Sequence, residues 1–222
     1  MSNEIFKKTI GLLSAAGISC GVSCAQAANL PDPLLDEAAT KTSESRVIVL
    51  SGGCFWGIQA VFQHVKGVTK AVSGYAGGAA ATANYETVSS GTTGHTESVE
   101  VTYNPAQVSA GKLLKVFFSV AHNPTTLNRQ GPDTGTQYRS AVFFTTPEQG
   151  KIVKAYIAQL DKAAVFSSPI VTQVNSLDKF YPAEAYHQNY AKNHPDNPYI
   201  AINDLPKVAD LKKEFSDLYT GE

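Results

Sequence analysis

The stretch Val47-Ile48-Val49-Leu50-Ser51-Gly52-Gly53-Cys54-Phe55-Trp56-Gly57 predicts a strand, a tight turn and the start of a helix. Its first four residues are branched or apolar, as in a buried strand, and the serine and two glycines that follow turn the chain. We expect the helix to begin near Cys54 and to end at Gly67, because glycine commonly follows a helix C-terminus. The apolar stripe of this helix consists of Phe55, Ile58, Val61, Phe62 and Val65.

Further strands and helices alternate along the chain. Residues 96–103 alternate between two side-chain faces as a strand does, and Ser109 is typical of a helix N-cap. A strand over residues 138–144 and a helix opened by the capping box 146–149 come next, followed by a strand over residues 170–174 and an amphipathic helix. Split strand–helix–strand units of this kind predict an α+β fold: a two-layer α/β sandwich with a mixed sheet and a ferredoxin-like core.

The N-terminal residues 1–27 have the layout of a secretory signal peptide. A pair of lysines precedes a short apolar stretch, which closes on the small–x–small site Ala25-Gln26-Ala27. We therefore predict cleavage after this site and export to the periplasm. Residues 28–45 are predicted to be a linker and residues 46–222 to form the folded domain.

The chain has three cysteines, and two of them lie in the predicted signal peptide. Cleavage would leave Cys54 as the sole thiol of the mature protein, either as a buried small residue or as a reactive nucleophile. An uncleaved cytoplasmic tail is one alternative, and a lipid anchor on Cys20 or Cys24 is another. Gly17 and Gly21 disfavour the anchor, because larger aliphatic residues are expected at these positions.

Composition disfavours several classes of partner. The formal net charge is −1 and 43 % of the residues are hydrophobic, so neither a nucleic acid nor an anionic surface is expected as partner. Beyond the leader, no segment predicts an integral membrane span. Without a repeat or a heptad pattern, we expect a monomer. The five histidines show no ligand spacing, and one mature cysteine provides no thiolate cage, so no metal is expected.

Cys54 is the candidate nucleophile. It follows a strand and two glycines at a helix N-terminus, where unpaired N–H groups and the helix dipole stabilise a thiolate. A buried packing cysteine is the alternative. Phe55 continues the helix stripe, whereas Trp56, the one tryptophan of the chain, falls outside it. We interpret the two aromatic side chains as walls of a pocket for a small apolar group beside the sulfur.

Glu97 is the candidate general acid. It lies on the otherwise apolar face of its strand, whereas Glu100 lies on the polar face. An inward carboxyl group is desolvated, and desolvation favours the protonated form that a general acid requires.

Five further side chains are candidates that the residue pattern alone does not decide. Phenols can donate to an oxygen that gains negative charge, and an aspartate in a glycine-flanked turn is commonly structural. A histidine and a tyrosine three residues apart share one face of a predicted helix. These residues are Tyr85, Tyr138, Asp133, His187 and Tyr190.

Several blocks of the sequence, taken together and in this order, resemble the A-type peptide methionine sulfoxide reductases. The resemblance covers residues 47–198 and is carried by Gly53-Cys54-Phe55-Trp56-Gly57, Gly74-Tyr75-Ala76-Gly77-Gly78, Asn84-Tyr85-Glu86-x-Val88, Ser90-Gly91-x-Thr93-Gly94-His95-x-Glu97, Gly135-Thr136-Gln137-Tyr138-Arg139-Ser140, Phe180-Tyr181-Pro182-Ala183-Glu184 and His187-Gln188-x-Tyr190.

The resemblance implies that residues 46–222 are a catalytic domain that reduces the S epimer of methionine sulfoxide, free or in proteins, and so repairs oxidised proteins. Cys54 would attack the sulfoxide sulfur as a thiolate and be left as a sulfenic acid, while Glu97 would protonate the sulfoxide oxygen. The substrate would be held by hydrogen bonds to its oxygen from Tyr85 and Tyr138, by contacts with its methyl group from Phe55 and Trp56, and by pocket lining or support from Asp133, His187 and Tyr190.

The C-terminal tail departs from many relatives, which carry one or two resolving cysteines there, whereas this tail has none. We therefore predict that an external thiol reductant, either a thioredoxin-like protein or a small thiol, attacks the sulfenic acid directly. Resolution by Cys20 or Cys24 in an uncleaved form is the alternative.

Two other functions also fit an activated cysteine. Another thiol enzyme is one of them: a peroxidase would consume hydrogen peroxide, and a cysteine hydrolase would need a histidine within reach of the sulfur. A non-catalytic binding module for methionine-rich partners is the other, and in such a module Cys54 would be incidental.

Overall fold

The computed structural model describes residues 30–41 and 44–221, so the predicted signal peptide lies outside the described residues. A six-stranded sheet forms the centre of the fold. Its strands are β1 (Arg46–Ser51), β2 (Val68–Ala76), β3 (Thr96–Tyr103), β6 (Ala141–Phe144), β7 (Gln173–Ser176) and β8 (Phe180–Pro182), while β4 (Arg129–Gln130) and β5 (Asp133–Thr134) pair separately.

The helices of the described residues are α1 (Phe55–Gln63), α2 (Tyr85–Val88), α3 (Ala110–Val116), α4 (Pro147–Lys162), α5 (Tyr190–Asn193), α6 (Pro198–Asn203) and α7 (Leu205–Glu214). A π-helical turn, Phe117–Ala121, continues α3. Within the described ranges, no helix combines the length and the apolar character that crossing a membrane requires.

The sheet has the order β7-β6-β1-β3-β2-β8, and its neighbours are antiparallel except for the parallel pair β6–β7. Strands β1 and β2, joined through α1, lie on either side of β3, which makes them a split strand–helix–strand unit. The central order β6-β1-β3-β2 is ferredoxin-like. The structure therefore confirms the predicted α+β class and the mixed sheet.

The main core lies between one face of the sheet and helices α1, α3, α4 and α7. A smaller apolar cluster, which includes Val49 and Phe143, covers the opposite face with the help of Leu177 and Phe180. Strand β1 is thus buried on both faces, which explains why its sequence is a continuous apolar run instead of an alternating one.

Strand β3 is buried on both faces at its start. The predicted inward face, including Glu97, is buried, and the alternation prediction for this strand is confirmed. On the other face, the hydroxyl of Ser51 on β1 lies 3.0 Å from the Thr96 hydroxyl and 2.8 Å from the Ser98 hydroxyl. Mutual hydrogen bonding explains how these polar side chains are tolerated in the interior.

Three predicted boundaries are wrong. The strand predicted over residues 170–174 is displaced towards the C-terminus and lies at Gln173–Ser176, as β7. Helix α1 ends at Gln63, four residues before Gly67, and Gly67 makes the turn into β2 with a φ of +91°. Tyr138 was predicted in a strand but lies in the 3-10 turn Thr136–Tyr138, and β6 begins only at Ala141. The guanidinium of Arg139 explains this turn, because it donates to the carbonyl oxygens of Thr136 and Gly94 at 2.9 Å each.

Residues 30–41, part of the predicted linker, lie against the domain. The Leu30 side chain is buried, and the Tyr156 hydroxyl donates to the Pro31 carbonyl oxygen at 2.9 Å. Asp36 accepts from the Gly111 backbone N–H at 2.8 Å and from the Ser109 hydroxyl at 2.5 Å, so its carboxylate caps the N-terminus of α3. Unpaired N–H groups at a helix start favour such an anion, which explains why this segment is held in place.

We expect Asp36→Ala to lower the free energy of unfolding by about 1–2 kcal/mol, because it removes the acceptor at the start of α3. Asp32→Ala removes the same charge from an exposed pair with Lys112 and Lys115, and should cost about 0.2–1 kcal/mol at most. Urea unfolding of both variants measures the difference. Equal losses would contradict a capping role for Asp36.

Candidate active site

Cys54 lies at the N-cap of α1, directly after the turn that follows β1. Its side chain is 8 % exposed, and it is the one cysteine of the described residues. Gly53, which precedes it, has a φ of +94°, and a Cβ atom there would lie 2.7 Å from the Cβ of Gln130. Only glycine combines this backbone angle with so close an approach, so the turn that presents the sulfur depends on it.

A cavity of about 210 Å³ adjoins the Cys54 sulfur. Residues from six separate segments of the chain meet in its wall: Cys54, Phe55, Trp56, Tyr85, Glu97, Asp133, Tyr138 and Tyr199. All of these residues except Tyr199 are candidates predicted from the sequence. The cavity is smaller than the roughly 300–1,000 Å³ of common ligand pockets, so it has room for the end of a side chain but not for a large ligand.

Glu97 faces this cavity from the start of β3 and is only 3 % exposed. Its Oε2 accepts a hydrogen bond from the Phe55 backbone N–H at 3.1 Å, which ties the carboxyl group to the first turn of α1. Burial, together with the nearby charges of Asp133 and Asp204, raises the pKa of Glu97 to about 8. A carboxyl group that is mostly protonated at neutral pH can donate a proton to a substrate.

The pKa of Cys54 differs from the sequence-based expectation of a helix terminus that favours the thiolate. Burial and the charge of Glu97 raise the pKa of the thiol well above its ordinary value. The Trp56 backbone N–H and the Lys207 ammonium act in the opposite direction but do not outweigh burial. The thiol is therefore neutral at rest.

Tyr85 and Tyr138 are phenols in the cavity wall, and burial raises the pKa of both. They therefore stay protonated and can act as hydrogen-bond donors at neutral pH. Tyr85 begins α2, where its backbone N–H donates to Glu184 at 2.9 Å. The same carboxylate accepts from the Tyr75 hydroxyl at 2.8 Å, so Glu184 links α2 to β2.

His187 and Tyr190 do not line the cavity but hold Trp56. The Tyr190 ring stacks on the indole, with centroids 3.8 Å apart, and the indole N–H donates to His187 Nδ1 at 3.1 Å. The prediction that they share one helical face is wrong, because His187 ends a 3-10 turn and Tyr190 begins α5. Gln188 explains the break, since its side chain bonds both the N–H (3.0 Å) and the carbonyl (2.9 Å) of Ser73 on β2.

Three residues near the site were not predicted from the sequence, because they belong to the C-terminal helices. They are Tyr199, Asp204 and Lys207. Tyr199, in the first turn of α6, donates a hydrogen bond to the Asp133 carboxylate. Asp204 is fully buried between α6 and α7, where it accepts from the Lys207 ammonium at 3.1 Å. The proline before Tyr199 indicates a helix start, but nothing in the residue pattern predicts that this helix packs close to Cys54.

The described residues contain no group of three or more histidine, cysteine, aspartate or glutamate side chains placed to hold a metal ion. The buried thiol, the buried carboxyl group and the phenols that line the cavity support a proton transfer to an acceptor atom coupled to attack by sulfur.

Comparison with known proteins agrees with this chemistry. The family profile described as peptide methionine sulfoxide reductase matches residues 46–219. The peptide methionine sulfoxide reductase MsrA 2 of Mesorhizobium japonicum is 58 % identical over 186 residues, which are 84 % of this chain and 94 % of that protein. The MsrA 2 of Synechocystis is 50 % identical over 190 residues, 85 % of this chain and 89 % of that protein.

Solved structures agree as well. Reduced Mxr1 from Saccharomyces cerevisiae superposes with a TM-score of 0.64 and 30 % identity, over 72 % of this chain and 91 % of that one. Methionine sulfoxide reductase A of Corynebacterium diphtheriae has a TM-score of 0.59 and 34 % identity, over 77 % of this chain and 85 % of that one. The chain therefore belongs to the A-type peptide methionine sulfoxide reductases, thiol-dependent oxidoreductases that return methionine sulfoxide to methionine.

Proposed function

We propose that this enzyme repairs the S epimer of methionine sulfoxide, free or within proteins, with Cys54 as nucleophile and Glu97 as general acid. The observation that carries the proposal is the shared cavity, in which a buried thiol and a buried carboxyl group contact the same helix turn. A thiol and a proton donor at one small cavity suit a substrate with an electrophilic sulfur and a basic oxygen.

In the proposed reaction, Glu97 gives its proton to the sulfoxide oxygen, and Tyr85 and Tyr138 donate hydrogen bonds to the same atom. Cys54 loses its proton and attacks the substrate sulfur. The oxygen leaves the substrate for the cysteine sulfur, so that a thiol and a sulfoxide become a sulfenic acid and a thioether. The sulfenic oxygen keeps the proton that Glu97 gave, and the thiol proton passes to the Glu97 carboxylate, which leaves Glu97 protonated again.

The protonation state of Glu97 affects the ionisation of the Cys54 sulfur as well as proton transfer to the sulfoxide oxygen. A charged carboxylate in the cavity disfavours a thiolate beside it, whereas a neutral carboxyl group does not. The competent resting state therefore carries both protons, one on Cys54 and one on Glu97.

Phe55 and Trp56 are proposed to contact the methyl group of the substrate. Trp56 is held between Tyr190 and His187, so the apolar wall is rigid before the substrate arrives. Asp133 and Tyr199 belong to the same lining and are joined by a hydrogen bond, and the Tyr199 ring lies edge-on to Trp56 with centroids 6.0 Å apart. Preorganised walls reduce the entropy that is lost when a flexible methionine side chain is ordered.

We further propose that an external thiol, either a thioredoxin-like protein or a small thiol, completes the cycle. A first thiol attacks the Cys54 sulfenic acid, releasing water and forming a mixed disulfide, and a second thiol releases reduced Cys54. We also propose that the enzyme is exported to the periplasm and loses residues 1–27, on the basis of the lysine pair, the apolar stretch and the Ala-Gln-Ala site.

Cys54→Ser is expected to lower the turnover of S-methionine sulfoxide with dithiothreitol by on the order of 10³-fold or more, because serine lacks a comparable nucleophile. The wild type should prefer the S epimer to the R epimer. Faster consumption of hydrogen peroxide than of the sulfoxide would support a peroxidase instead. No reduction of the S epimer by the wild type would leave a binding module as the better interpretation.

Glu97→Gln is expected to lower kcat by on the order of 10²–10⁴-fold, because it removes the proton donor. In the wild type, activity should fall as the pH rises through about 8, where Glu97 loses its proton, and should be retained below that pH. Glu100→Gln is the matched control, because Glu100 belongs to the same strand but is less buried. A wild-type profile without a decline through this pH range would contradict the assignment of Glu97 as the acid.

A single turnover without reductant should release one methionine per enzyme and leave one added oxygen on Cys54. Intact-mass spectrometry of the exported protein measures this oxygen and also reports whether the mature chain begins at Ala28. Because that chain would hold Cys54 as its sole thiol, no internal disulfide should form. An internal disulfide in the mature protein would rule out resolution by an external thiol alone.

A further inference from the structure

Asp204 and Lys207 form an ion pair that the reaction described above does not use. The Asp204 carboxylate is fully buried, and its Oδ1 lies 3.1 Å from the Lys207 Nζ. Its second oxygen, Oδ2, has no hydrogen-bond partner among the described residues. A buried carboxylate with an unpartnered oxygen is costly, and apolar side chains would often fill such a position at least as well. Packing alone therefore gives no reason for this pair.

The pair lies against the first turn of α1. A Cβ atom at Gly57 would lie 2.1 Å from Asp204 Oδ1 and 2.8 Å from Lys207 Nζ. Gly57 comes three residues after Cys54, so the two positions face the same side of the helix N-terminus. Two opposite charges are thus held about one helical turn from the sulfur, and the absence of a side chain at Gly57 makes room for them.

We propose that Asp204 and Lys207 are a positioning pair for Cys54, whose two charges, acting through α1 with opposite sign, set how readily the sulfur becomes anionic. The inference rests on the proposed function of Cys54 as nucleophile. Lys207 supports the thiolate that attacks the sulfoxide. Asp204 holds the ammonium in place and opposes the thiolate, which keeps the thiol protonated when no substrate is bound.

The other groups around the sulfur explain why a cation is needed here. Those that face Cys54 in the cavity are Glu97 from β3, Asp133 from β5, and the phenols Tyr85, Tyr138 and Tyr199. All of them are neutral or negative, so none can stabilise a thiolate by its charge. Consistent with the geometry, the charge of Asp204 raises the pKa of Cys54 and the charge of Lys207 lowers it.

The test is the rate at which iodoacetamide, a small neutral reagent, alkylates Cys54 between about pH 6 and pH 10, since only the thiolate reacts. We expect Lys207→Met to move the midpoint of this profile up by about half to one pH unit, which slows alkylation about 3- to 10-fold below the midpoint. Asp204→Asn should move it down by a similar amount. Lys207→Arg should restore the wild-type profile, and Lys213→Met, at an exposed position of the same helix, should not change it.

Shifts of opposite sign for Lys207→Met and Asp204→Asn would support the proposal. Shifts of the same sign, or unchanged profiles in variants whose circular dichroism matches the wild type, would overturn it, because a structural role predicts either loss of folding or no change. Lys207 is partly exposed, so its variants remain informative even if Asp204→Asn does not fold. Alkylation needs no sulfoxide, so a failure of the proposed reductase activity would show separately, as an absence of S-methionine sulfoxide reduction by the wild type.

Discussion

The absence of side chains at Gly53 and Gly57 is the constraint on which the active site depends. Gly53 allows Gln130 to pack against the turn before Cys54, and Gly57 allows Asp204 and Lys207 to pack against the helix after it. The loop that carries β4 and β5 and the C-terminal helices can therefore both reach the nucleophile. With a Cβ atom at either position, one of these segments would have to move away, and the cavity wall that it supplies would open.

Burial affects the pKa of Cys54 more than the helix dipole does. The cavity excludes water from both Cys54 and Glu97, so each group prefers its neutral form. Because a charge on either group disfavours a charge on the other, the two titrate as a pair. When the substrate accepts a proton from Glu97, the carboxylate left behind can take the proton that Cys54 loses, so the cavity does not have to hold two adjacent negative charges. In the resting enzyme the neutral thiol is a weaker nucleophile than the thiolate.

Rigidity comes from contacts that are distant in sequence. Trp56 is positioned by the stacked ring of Tyr190 and by the ring nitrogen of His187, while Gln188 ties the segment between them to β2. Glu184 likewise connects the start of α2 to Tyr75 on the sheet. Asp36 likewise fixes the segment before β1 to α3. Each of these links uses a side chain to satisfy backbone or ring groups that would otherwise be buried without a partner.

The sequence by itself determined the fold class, the strand over residues 96–103, the helix start at Cys54 and the inward position of Glu97. These features depend on local periodicity and on turn residues, which a linear pattern records directly. The phenols Tyr85 and Tyr138 were candidates from the residues alone, but only the family resemblance assigned them a role, because a single tyrosine has no periodicity that separates binding from packing.

Only the tertiary structure decided which distant residues meet at the sulfur. Tyr199, Asp204 and Lys207 reach the site because α6 and α7 pack on α1, and the prediction for His187 and Tyr190 was wrong because Gln188 binds β2 instead of continuing a helix. The elevated pKa of the Cys54 thiol has the same origin. The sequence predicts the helix terminus, which lowers the pKa of the thiol. It does not predict the burial that raises this pKa further, because burial is the sum of contacts from elements far apart in sequence.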